Sequence, residues 1–268
     1  MARGESLTFK TLLLSFGKVI VTLSALIISV VLARFLSIEG YAVHKKAILA
    51  FTLVSPVLML GLPKALYFFL PESKKGARTT LVANLVLLSL SGAIFAAGLV
   101  FVFGDVLANY LGDPTLVRFW WIVSIYGFAM LPLSALSATL VAQSRVKVLV
   151  RFQMTSQLLL VGAVSFVAWK FGEPIYTLGA FMGWSVLAVA IALVLMLKST
   201  PQSPVELAQL RTQMKDQLVY AVPLGLASMF GSVSIQLDKL MVSQMCSTEE
   251  FSWYVAQSDA IALMVIKP

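Results

Sequence analysis

The stretch MFGSVSIQLDKLMVSQM, Met229 to Met245, decides how this chain is read. It lies in an apolar run long enough to cross a bilayer, yet it holds Asp238 and Lys239 side by side. A charge near the middle of a membrane helix costs about 2.5–3.5 kcal/mol on insertion scales. A span that keeps two of them therefore meets water or uses the charge. The same character runs outward from this stretch. The 268 residues are 59% hydrophobic and 12% charged, with mean hydropathy +0.93, whereas soluble domains run at about 45–50% apolar and about 25% charged. No water-soluble core hides that much apolar surface, and the expected fold is an all-α polytopic membrane protein.

Windows of about 20 apolar residues mark spans. They fall at Phe9–Leu36, Ala47–Leu70, Thr80–Phe103, Phe119–Ala142, Phe152–Phe171, Tyr176–Leu197 and Gln217–Met245, with an eighth beginning after Phe251. The net charge of +8 sits in the connections between them, which argues against nucleic acid as a partner. Arg3 precedes the first span and Lys10 stands at its opening. Lys74, Lys75 and Arg78 follow the second, Arg145, Lys147 and Arg151 follow the fourth, and Lys198, Arg211 and Lys215 follow the sixth. The opposite loops carry Asp105, Asp113, Glu249 and Glu250, with Lys45 and Lys46 as the main exception. The positive-inside bias then places the N-terminus and the even-to-odd loops in the cytoplasm. The first apolar run is too long for a signal-peptide core and reads as a retained span.

Cys246 is the single cysteine and His44 the single histidine, so neither an intrachain disulfide nor a multi-histidine metal site is expected. His44 reads as an ordinary surface residue of an outer loop. No GxxxxGK[ST] loop is present to bind ATP, and no cofactor is expected. Pro56, Pro63, Pro132 and Pro223 interrupt or cap spans and read as kinks or hinges. Gly179 and Gly183 form a GxxxG pair suited to close helix packing.

The longest connector, between the sixth and seventh spans, contains Ser203-Pro204-Val205-Glu206, which reads as a capping box opening a short cytoplasmic helix. It divides the chain into a six-helix N-terminal lobe (1–200), a cytoplasmic linker helix (201–216) and the start of a second, pseudo-symmetric bundle (217–268). A shift of about 210 positions aligns Ser37-Ile38-Glu39-Gly40-Tyr41 with Ser247-Thr248-Glu249-Glu250-Phe251. Thr11, Ser15, Lys18, Thr22 and Ser29 share a narrow arc of the first span. Gly225, Ser228, Ser232, Gln236, Lys239 and Ser243 do so in the seventh. Six spans per half make the repeat parallel, and both stripes are expected to wall one aqueous vestibule.

LARFLSIEGYAVHKKAILAF (Leu32–Phe51), GLPKALYFFLPESKK (Gly61–Lys75) and PLGLASMFGSVSIQLDKLMVS (Pro223–Ser243) resemble the corresponding regions of polysaccharide-unit flippases. These belong to the multidrug/oligosaccharidyl-lipid/polysaccharide exporter superfamily. Ala42 stands where that pattern has Gly, and the segment Trp253–Pro268 departs from the family's usual start of the eighth span. The family has two six-helix lobes, so the resemblance implies one lobe plus the opening of the second, a truncated product. It also implies a bacterial cytoplasmic-membrane protein that flips polyprenyl-pyrophosphate-linked oligosaccharide by alternating access. Its partners would be the lipid-linked oligosaccharide, membrane lipids and other polysaccharide-assembly membrane proteins. Lys18, Lys239 and Lys64 would then supply charge for a pyrophosphate, with Lys64 close enough to its span end to snorkel. Thr22, Ser232 and Gln236 would hydrogen-bond sugars. Asp238 projects about 100° from Lys239 around the helix and reads as an interhelical or ion-coupling carboxylate. Alternatives are a drug/cation antiporter, which calls for an acidic site, a membrane glycosyltransferase, which calls for large outer loops, and a non-transporting remnant.

Overall fold

The computed structural model describes residues 7–72 and 76–264, with the side chains at 7, 9, 10, 230, 232–236 and 259–264 outside that description. Every regular element among the described residues is helical. In chain order they are α1 (Leu7–Phe35), α2 (Ile38–Met59), α3 (Leu62–Glu72), α4 (Ala77–Phe101), the short α5 (Gly104–Tyr110) and a 3₁₀ turn (Pro114–Phe119). Then come α6 (Trp120–Ala142), α7 (Val146–Phe171), α8 (Pro174–Ser199), α9 (Leu207–Met245) and α10 (Thr248–Met264). Among the described residues, six helical stretches are long and apolar enough to cross a membrane: Thr11–Phe35, Ile38–Glu72, Ala77–Phe101, Pro114–Ala142, Val146–Phe171 and Pro174–Ser199. With 39 residues, α9 extends about 58 Å, more than a hydrocarbon core of about 30 Å. The all-α polytopic expectation holds.

The connections alternate between two ends of the bundle. Ser37, Asp113, Pro174 and Thr248 gather at one end, and Pro71, Ala77, Gln143, Arg145 and Pro201 at the other. In between, α6 is the central helix, packed on α2, α3, α4 and α8, with 56% of its apolar window buried. Phe51, Phe95 and Tyr126 meet edge-to-face at this centre. They close over Gly127, where a Cβ would lie 2.6 Å from the Phe95 ring.

Four expectations are corrected. First, the second span opens at Ile38 rather than Ala47, because Ser37 accepts the Gly40 N–H at 3.0 Å and caps the helix there. A hydropathy window stops at Lys45-Lys46, whereas the cap starts the helix ahead of them. His44 and Lys46 are consequently not loop residues but buried ones, 1% and 2% exposed. Second, that span is broken: Leu60 and Gly61 take left-handed conformations (φ 43° and 74°), and α3 restarts with Pro63 in its first turn, where a missing N–H costs nothing. Third, Ser203-Pro204-Val205-Glu206 builds no helix. α9 begins at Leu207 without a side-chain cap, and the Glu206 N–H donates to Thr79 Oγ1 at 3.2 Å. The connector is held by α4 instead of by its own box. Fourth, Gly179 and Gly183 make no close crossing; a Cβ on either meets nothing within 4 Å.

The close crossing lies elsewhere. At Gly61 a Cβ would stand 2.7 Å from the Ala221 carbonyl oxygen, and at Gly225 one would stand 2.3 Å from the Leu60 carbonyl carbon. The GLP and PLG segments therefore touch backbone to backbone, and α9 is seated on the α2–α3 break. A non-glycine residue held left-handed costs roughly 1–2 kcal/mol, and the α9 contact supports Leu60 in that form. One turn away a buried polar network binds α9 to α4. Asn84 Nδ2 donates to the Leu62 carbonyl (2.8 Å) and to Gln217 Oε1 (2.7 Å). Gln217 Nε2 donates to the Thr80 carbonyl (2.8 Å), and Thr80 Oγ1 donates to Gln213 Oε1 (3.1 Å).

The internal repeat is visible at both helix ends. Phe35 and Met245 close the first helix of each pair, Ile38 and Thr248 open the second, and both junctions keep the 210-residue offset. Ser247 Oγ accepts the Glu250 N–H at 3.3 Å, as Ser37 does for Gly40. Glu250 Oε2 in turn accepts the Ser247 N–H at 2.8 Å, completing a capping box. The two pairs also pack reciprocally: α2 meets α10, while α2 touches α9 as α10 touches α1.

Candidate functional site

Burial of the α2 start brings polar groups into the lobe. A cleft of about 380 Å³ opens between α1, α2, α6, α7 and α8, within the usual range for ligand sites. Its polar groups come from Thr22 of α1, His44 and Lys45 of α2, Tyr126 of α6 and Gln157 of α7. Phe181 and Trp184 of α8, with Tyr126, supply an aromatic wall.

Each polar group is positioned by a neighbour. Lys45 Nζ donates to Ser29 Oγ at 3.0 Å and lies 5.4 Å from the centre of the Tyr41 ring. Ser29 Oγ is also 2.9 Å from the Tyr41 hydroxyl, so α1 and α2 share a small polar knot that fixes the ammonium. Thr177 Oγ1 donates its only proton to the Pro174 carbonyl at 3.0 Å. A 2.9 Å contact between Thr177 Oγ1 and His44 Nδ1 ties the imidazole to α8. Phe181 packs edge-on to that ring at 5.1 Å. Trp184 Nε1 donates to the Ser156 carbonyl and hydroxyl (3.0 and 2.9 Å), locking α7 to α8 behind the cleft. One ammonium, two hydroxyls, an amide and an imidazole against aromatic faces suit a hydroxyl-rich anionic ligand.

The residues expected from sequence fall in several places. Thr22 lines the cleft, its hydroxyl donating to the Lys18 carbonyl at 3.1 Å. Lys18 is exposed one turn away on α1 and is not among the cleft residues. Lys64 is exposed in the first turn of α3. Lys239 is half-buried on α9, and neighbouring Asp238 is exposed and accepts the Tyr254 hydroxyl at 2.6 Å, joining α9 to α10. The side chains of Ser232 and Gln236 lie outside the described residues. The two polar stripes are not packed on each other: α1 lies on α7 and α10, α9 on α2, α3 and α4, and α2 and α10 each touch both. Ser29, at the far end of the first stripe, is buried in the Tyr41–Lys45 knot.

The sequence does not single out Lys45, Tyr126 and Gln157 as site residues, and there His44 reads as a surface residue, whereas it is buried. A signal for Lys45 is present, since Lys45 and Lys46 break the positive-inside pattern. A cation on the wrong side of that rule marks a buried or functional position. Tyr126 and Gln157 carry no local signature.

A family model described as "Polysaccharide biosynthesis protein" matches residues 7–264. No curated protein and no solved structure matches the chain. The family and the multi-pass helical fold together point to a transporter-type membrane protein rather than an enzyme. The chain belongs to the polysaccharide biosynthesis family of the multidrug/oligosaccharidyl-lipid/polysaccharide exporter superfamily.

Proposed function

We propose that this protein moves polyprenyl-pyrophosphate-linked oligosaccharide units across the bacterial cytoplasmic membrane for surface polysaccharide assembly, with its N-terminus in the cytoplasm. Residues 1–200 form one lobe, 201–216 the connection, and 217–268 the opening of the pseudo-symmetric second lobe. Access alternates as the lobes rock about the α2–α10 contact. The observation that carries this reading is the cleft: the Lys45 ammonium, held by Ser29, faces the same space as Thr22, Gln157 and an aromatic wall. A pyrophosphate needs the charge and sugars need the hydroxyls, amide and rings. Lys18 and Lys239 extend the positive charge along α1 and α9, and Lys64 lies at the bundle surface. Asp238 ties α9 to α10 through Tyr254, and its carboxylate is the place for a coupling ion.

The test is complementation of cells lacking the gene, comparing Lys45→Met, Lys45→Arg and Lys239→Ala for surface polysaccharide and for membrane insertion. Lys45→Met is expected to insert normally and to lose polysaccharide, with Lys45→Arg retaining part of it. Wild-type output from Lys45→Met removes the cleft from the transport path.

A further inference from the structure

A second groove, of about 330 Å³, runs between α7 and α8. Trp184 walls both this groove and the cleft, and its two bonds to Ser156 close the helices between them. The groove is almost wholly hydrocarbon, with Phe152, Leu159, Leu187, Ile191 and Leu195 along its length. Leu159 is 53% exposed, and Leu187 and Ile191 are exposed beside it, so the groove opens on the outer face of the bundle.

One end of the groove is cationic. Arg151 lines it and is exposed, and Lys147 lies four residues earlier, also exposed and on the same face of α7. With 26 residues, α7 is about 39 Å long against a hydrocarbon core of about 30 Å. About one turn at each end therefore stands among headgroups. Lys147 belongs to that turn, and Arg151 lies about 3 Å inside it, from where its long side chain snorkels and the guanidinium reaches a lipid phosphate bidentately.

We infer that the α7–α8 groove binds an anionic glycerophospholipid, with an acyl chain along Leu159, Leu187 and Ile191 and its phosphate on Arg151. Basic pockets between membrane helices at the headgroup level recognise anionic lipids in this way. A polyprenyl phosphate offers the same phosphate and hydrocarbon, but the groove fits the bilayer lipid. From Val148 to Leu159 it is about 16 Å long, about half the hydrocarbon core and so the depth of an acyl chain in one leaflet. Trp184 also separates it from the cleft where a sugar head group would lie.

The experiment is native mass spectrometry of the purified full chain with phosphatidylglycerol, with phosphatidylcholine of identical acyl chains, and with a polyprenyl phosphate as competitor. Phosphatidylglycerol is expected to be retained about fivefold more tightly than phosphatidylcholine for each engaged cation. Arg151→Gln should remove that preference and Arg151→Lys keep part of it. Ile191→Trp, which fills the groove, should reduce retention of both lipids. Equal retention of the two lipids, or an unchanged preference in Arg151→Gln, overturns the site. Displacement of phosphatidylglycerol by equimolar polyprenyl phosphate overturns the assigned occupant. Arg151 is exposed, so its substitution leaves packing intact and carries the test even where Ile191→Trp lowers the melting temperature.

Discussion

Gly225→Ala adds one methyl group where α9 crosses the α2–α3 break. The new carbon would lie 2.3 Å from the Leu60 carbonyl carbon, 2.5 Å from its oxygen and 2.8 Å from its Cα. Comfortable carbon–carbon separation is about 3.5–4.0 Å, so the two backbones must part by more than about 1 Å. No side chain stands there to rotate away. Overpacking of this kind costs about 1–3 kcal/mol, and a backbone clash belongs at the upper end. Alanine's better helix propensity returns about 0.8–1.0 kcal/mol, which leaves a net loss of about 1–2 kcal/mol. At about 2–4 °C per kcal/mol, the melting temperature of the detergent-purified protein should fall by about 2–8 °C. Gly231→Ala is the control, since it lies in the same helix and its Cβ would meet nothing within 4 Å; it keeps the propensity gain and should melt at or above wild type. If Gly225→Ala melts with Gly231→Ala, the close crossing is refuted.

Asn84→Leu strands the partners of a fully buried amide, Gln217 Oε1 and the Leu62 carbonyl, and should cost about 1–3 kcal/mol by thermal melt. Adding Gln217→Leu should cost less than the two single losses summed, because the residues share one network. Hydrogen bonds from the Ser247 backbone and hydroxyl hold the Glu250 carboxyl below its usual range. Since the folded pKa is the lower one, this stabilisation is present at neutral pH and is lost as pH falls through that depressed pKa. Hydrogen exchange, corrected for its intrinsic pH dependence, should therefore show the first turn of α10 less protected at acidic pH, and Glu250→Gln should flatten the difference. Cys246 is exposed in the α9–α10 turn. With the N-terminus cytoplasmic, a membrane-impermeant maleimide should label it on intact spheroplasts, while Gln202→Cys in a Cys246→Ser background should label only after permeabilisation; the reverse pattern inverts the orientation.

Helix type and the first six spans were legible because hydropathy is additive along the chain: each window of apolar residues carries its own case for crossing a bilayer, whereas the expected seventh and eighth spans, on α9 and α10, are not among the six described stretches apolar enough to cross. The repeat was legible for a similar reason, as Ser37 and Ser247 cap their helices locally with bonds that span three residues. Where the chain lies in a helix but carries charge, local reading gave way. Hydropathy places Lys45, Lys46 and Arg151 in loops, yet their helices begin before them. The Ser203–Glu206 box lost to Thr79, which sits on another helix and takes the Glu206 N–H. A local motif has no means of registering that competitor.

The sequence alone determined that this is a multi-pass helical membrane protein, with a 210-residue repeat and three segments that announce its family. Only the tertiary structure decided that Gly61 and Gly225 form the close crossing in place of Gly179 and Gly183. It alone joined Asn84 to Gln217 across 133 positions and gathered Thr22, Lys45, Tyr126 and Gln157 around one cleft. The physical reason is that lipid offers polar groups no partners. A buried donor is therefore driven to an acceptor on whichever helix packing brings near, and that pairing is a property of the bundle rather than of any span within it.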